Sequence, residues 1–140
     1  MIIDEIRKYI RKCPLVKGKK INVDYLGADV GAYTINVVPI SPIVKEYTDG
    51  ATLRQFAFVF GSKEYYSFDV LQNIENAGFY EKLQDWFEQQ TAREDFPNLG
   101  KGKQATKIEV TSTGYLFDET EDRARYQCQC RLVYYQDVVM

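Results

Sequence analysis

The chain has 140 residues, 45% of them apolar and 27% charged, with a formal net charge of -2 and no histidine. That size and balance fit one globular domain over residues 1–140 with a genuine core, and exclude a largely disordered chain. The small net charge gives no global pull toward nucleic acid or an anionic membrane, and no apolar run approaches the roughly 18 residues that would span a bilayer.

Aromatic residues reach 14%, with 11 Tyr and 8 Phe, an excess that favours strands and contact surfaces. Cys13, Cys128 and Cys130 are too few and too oddly placed for a disulfide framework. The start of the chain is charged early and lacks the apolar run of a signal peptide, so a protein made in a reducing cytosol is expected.

Residues 2–12 read as an amphipathic helix. Ile2, Ile3, Ile6, Tyr9, Ile10 and Cys13 fall at helical spacing, and the acids come early and the bases late, as the helix dipole prefers. Pro14 ends it. A turn at residues 17–20 leads to a short extended segment at 21–26 and a loop at 27–31. The glycines of that loop are not a phosphate loop, because no Gly-Lys-Ser/Thr follows and the next element is a strand.

Residues 33–40 predict a strand whose Pro39 marks an edge, a bulge or the strand end. A short strand is expected at 43–47. Residues 52–60 are apolar on both faces toward their end and predict the central strand, with 61–68 leaving it. Tyr65, Tyr66 and Phe68 are contact candidates there.

Asp69 reads as an N-cap for a long helix over residues 70–92, with Gly78 offering a break into two pieces. Val70, Leu71, Ile74, Ala77, Leu83, Trp86, Phe87 and Gln90 form its stripe, and Trp86 reads as core. Residues 96–106 form a long basic loop, either a plain connection or a contact for a partner or DNA. Strands at 107–117 and 123–135 then make a hairpin around an acidic turn, 118–122. On the return strand Ala124, Tyr126, Cys128, Cys130, Leu132 and Tyr134 share one face, and Arg123, Arg125, Gln127, Gln129 and Arg131 the other.

Without histidine, most metal sites, Ser-His-Asp triads and the usual near-neutral acid–base group are missing. Cys128 and Cys130 read as buried thiols, and the carboxylates of the acidic turn as solvated charges. The expectation is no enzyme, no metal and no cofactor. A return strand of about 13 residues would run roughly 43 Å, longer than one small core needs, and so points to subunit contacts.

The fold class expected is α+β: a mixed or antiparallel sheet with a long C-terminal β-hairpin, flanked by an N-terminal helix and a long central helix. This order comes with three local stretches, Tyr33-Thr34-Ile35-Asn36-Val37-Val38-Pro39, Gln55-Phe56-Ala57-Phe58-Val59-Phe60-Gly61 and Gly78-Phe79-Tyr80-Glu81-Lys82-Leu83-Gln84-Asp85-Trp86-Phe87. Together they resemble the tail-terminator or minor capsid proteins of tailed phages, prophages and phage-tail-like bacteriocins of Gram-positive bacteria.

The resemblance implies a structural protein of the virion or tail-like particle, assembled in the bacterial host cytoplasm. It would form a hexameric ring on the tail tube protein, end tube polymerisation and meet a head connector or collar protein, with DNA passing transiently through the lumen and no membrane involved. Placed by position on that picture, Arg123, Arg125, Arg131, Tyr135, Phe56 and Phe58 are the subunit contacts, and Leu99, Lys101 and Lys103 lie in a loop touching tube or lumen. Two alternatives stand beside it: a head–tail connector or tail-completion protein of the same assembly, and a small-molecule-binding α+β domain with Tyr65, Tyr66 and Trp86 around a pocket.

Overall fold

The computed structural model describes residues 1–16, 19–24, 33–65, 70–119 and 123–138, and their side chains except those of 63–65, 70–77, 113–119 and 123–124. The elements run α1 (Ile2–Ile10), a 3-10 turn (Pro14–Val16), β1 (Ile21–Val23), β2 (Tyr33–Val38), β3 (Ile43–Glu46), β4 (Thr52–Tyr65), α2 (Val70–Ala92), β5 (Lys103–Glu119) and β6 (Arg123–Gln136). This is the α+β class expected, with a mixed sheet, a C-terminal hairpin, an N-terminal helix and a central helix.

The strands form one sheet in the order β1-β2-β4-β6-β5, parallel between β1 and β2 and antiparallel elsewhere. β4 is central, as its two-sided apolar pattern predicts. One of its edges pairs with β6 from Thr52↔Gln136 to Tyr65↔Arg123. The other is shared end to end by β2, opposite Ala57–Ser62, and β3, opposite Thr52–Arg54. The prolines Pro39 and Pro42 mark the step from β2 to β3, since neither can donate to a ladder.

Both helices pack on one face of the sheet. Alternation puts Tyr33, Ile35, Phe58, Phe60, Tyr126, Cys128, Cys130 and Leu132 on that face, and all of them are buried. Ile6, Tyr9 and Ile10 of α1 close over them with Tyr80, Leu83 and Phe87 of α2, a 3-and-4 spacing that keeps one helical stripe inward. The Tyr9 hydroxyl donates to the Asp95 carbonyl at 2.8 Å, and Arg7 Nε to the Ile21 carbonyl at 2.8 Å, so α1 ties β1 to the end of α2. The Tyr80 hydroxyl donates to the Tyr126 carbonyl at 2.8 Å and meets Ser62 Oγ, which satisfies the polar atoms that α2 buries against the sheet.

Several boundaries differ from the sequence reading. α1 stops at Ile10 and β1 at Val23. β4 continues through Gly61 to Tyr65 because β6 supplies partners that far. α2 is one helix through Gly78, where a single glycine costs only about 1 kcal/mol and does not outweigh the packing. β5 begins at Lys103, so the last part of the expected loop is strand, and Asp118 and Glu119 still belong to β5. The loop at 27–31, Asp69, Tyr66, Phe68 and residues 120–122 lie outside the described residues, as do the side chains of Tyr65, Val70, Leu71, Ile74 and Ala77.

Candidate interaction surface

Away from the helices the sheet carries a polar lattice. Arg131 on β6 donates to Glu109 on β5 through Nε at 3.0 Å and Nη2 at 2.6 Å, and through Nη1 to Gln55 on β4 at 3.1 Å. Lys107 joins the same carboxylate at 2.9 Å. Burial pushes the Glu109 carboxyl up, but the hydrogen bonds and charges of Lys107 and Arg131 outweigh it and hold the group below the ordinary glutamate value. Arg125 donates to Gln127 Oε1 at 3.1 Å and to Asn36 Oδ1 at 3.0 Å. It crosses β4 at Gly61, where an added Cβ would lie 3.5 Å from Arg125 Nε and 3.3 Å from the Tyr126 carbonyl.

These contacts revise the site expected from the sequence. Arg125 and Arg131 are cross-strand struts within one chain, and a seam between copies would have to use them while they are already engaged. Phe58 is 0% exposed and belongs to the core, so it offers no surface; Phe56 is half-buried against the same core. Alternation had put Phe56 and Phe58 on one face but not said which, and it is the face the helices cover. Tyr135 is half-buried, with its ring 6.0 Å from that of Tyr47. The side chain of Arg123 lies outside the described residues. Leu99 packs against the core, Lys103 lies in β5, and Lys101 alone of the three is an exposed turn residue.

The structure brings forward a different surface, the outer edges of β3 and β5. All four residues of β3 are exposed, with Val44 48% exposed and Ile43 and Tyr47 beside it. Ile40, Val37 and Val138 are exposed as well. Among the described residues β3 pairs only with β4, so its far edge presents backbone donors and acceptors to a partner. The sequence signal was there, an apolar Ile-Val pair in a strand too short to be interior, but burial alone tells an apolar edge from an apolar core.

On the far side of the sheet, β5 pairs only with β6 among the described residues. A groove of about 370 Å³ runs between this edge and α2, lined by Phe87, Glu88, Thr91, Ile108 and Val110 among others. Thr91 Oγ1, in its lining, donates to the Ile108 carbonyl at 3.2 Å and ties α2 to β5 there.

Among the described residues no group of three or more His, Cys, Asp or Glu is arranged to hold a metal ion. Cys128 and Cys130 are buried with Sγ atoms 3.6 Å apart, and burial together with the neighbouring Cys128 thiol pushes Cys130 up. That is the packing role expected of them. Trp86 is half-buried, packs against Tyr9 with ring centroids 5.2 Å apart, and edges a groove of about 310 Å³ with Pro14 and Leu15. No helix among the described residues is long and apolar enough to cross a membrane. No protein-family model matches the chain, and no curated protein matches it.

Proposed function

We propose that this chain is a ring-forming structural protein of a phage tail or tail-like particle. It caps the tail tube, ends its polymerisation and meets the head connector or collar. The observation that carries this reading is the pair of open sheet edges, one with an apolar exposed strand and the other with a groove alongside. Two such edges, running in opposite directions on one fold, suit repeated contacts between copies. The three stretches that carry the resemblance also supply β2, the middle of β4 and the inward stripe of α2, the scaffold of the fold. Capping is then geometric: one growing interface is replaced by one that cannot propagate.

The test is antibody labelling and mass spectrometry of tail particles induced from the bacterium that encodes the chain. The expected result is one ring at the head-proximal end of each tube. Label spread along the tube, or particles of normal tube length without the protein, would overturn the reading. Label on the head side of that ring would favour a connector or completion protein.

A further inference from the structure

We propose that the copies join edge to edge, with β3 of one chain adding as a strand to β5 of the next, in the groove beside α2. This rests on the ring reading above and names its contact. β3 is antiparallel to β4, β4 to β6 and β6 to β5, so β3 and β5 run in opposite directions within one chain. A rotation about an axis along the strands preserves that relation. The β3 edge of one copy therefore meets the β5 edge of its neighbour antiparallel, with the helix-covered face of one continuing that of the other. The two edges are different surfaces, so the contact is head-to-tail and repeats from copy to copy rather than stopping at a dimer, making a ring where the rotation closes.

Charge and shape select the register. Away from the helices β5 presents Lys107 and Glu109, and β3 presents Lys45, which pairs with Leu53 on that same face. Lys45 opposite Glu109 of the neighbour adds a third cation to a carboxylate that Lys107 and Arg131 already hold within the chain, and brings Tyr47 opposite the neighbour's Lys107. Lys45 already sits over the Tyr47 ring at 5.2 Å, so that ring accepts a cation. The same register places Val44 opposite the half-buried Val110, in a groove lined otherwise mostly by polar and charged side chains. Strand addition supplies main-chain hydrogen bonds, and the alternating side chains supply specificity.

The full-length chain carrying Tyr47→Cys and Lys107→Cys tests this with a short bis-maleimide. Directly opposite residues bring Cβ atoms to about 4.5–5.5 Å, and the native cysteines are buried. The expected product is a covalent ladder that stops at the ring number and appears only with both substitutions together. Cross-linked dimers from Tyr47→Cys alone would mean that β3 pairs with β3, and overturn the proposal. A ring by light scattering that gives no ladder would overturn this contact and leave the ring reading standing. A monomer at every concentration would sink both.

Discussion

Arg131 and Glu109 illustrate how a side chain can be correctly placed on a face and still misread in role. The alternation of β6 puts Arg125, Gln127, Gln129 and Arg131 on one side, and the ladder agrees. The partners come from strands distant in sequence, Glu109, Gln55 and Asn36, and no local pattern announces them. Gly61 was similarly opaque: a glycine at the end of an apolar run reads as a strand end, yet here its missing side chain lets Arg125 pass. A stability effect follows. Because the folded Glu109 carboxyl titrates below its ordinary value of 4.5, its contribution is complete above that pH and is lost as pH falls through the folded value. Arg131→Met should cost about 1 kcal/mol at neutral pH, in the range of a partly exposed, hydrogen-bonded ion pair. It should also make the acid-side decline shallower, because Glu109 then titrates closer to its unfolded value. Urea midpoints at about pH 7 and about pH 3 check both; equal acid sensitivity in the two proteins would mean the pair does not couple to folding.

The long helix was legible because it is long. Leu83, Phe87 and Gln90 were read as an inward stripe and are buried, and Tyr80 completes the same spacing although the sequence reading passed over it. Its C-terminus was less legible, because it depends on backbone geometry. The Asp95 N–H bonds to the Gln90 carbonyl at 2.9 Å and the Glu94 N–H to the Thr91 carbonyl at 3.1 Å, the paired bonds of a Schellman cap. The residue that turns the chain is Glu94, at φ 57°, where glycine is the usual occupant. Glu94→Gly should relieve that strain and raise stability by about 0.5–1 kcal/mol, read as a higher melting temperature with no change in helix content. A neutral or lower melting temperature would mean that the glutamate makes up for its backbone conformation elsewhere. The start of β5 was hidden for a related reason: Gly100, Lys101, Gly102 and Lys103 look like loop, and only the pairing of Lys103 with Gln136 makes the last of them strand.

For the whole molecule, the core takes both helices on one face of the sheet, and among the described residues β3 and β5 each pair along one edge alone. On the β3 side, the proposed joining of copies draws on residues that the fold leaves exposed, which makes it separable from folding by mutation. Val44 is a suitable probe: it is 48% exposed, so Val44→Lys should change the unfolding free energy of the single chain by no more than about 0.5 kcal/mol. In the proposed contact the same position packs against the neighbour's Val110, and a lysine there replaces that apolar contact with a bulkier charged side chain in the tight space between paired strands. Assembly should weaken at least tenfold in concentration while the monomer's denaturation curve stays in place. Thr48→Lys, also exposed but beyond β3, adds the same charge and should leave assembly unchanged. Comparing light-scattering mass across a dilution series for the three proteins separates the outcomes. Equal weakening by both substitutions would point to net charge rather than to the strand edge, since added like charge opposes any association of copies. No weakening by either would place the contact between copies away from β3.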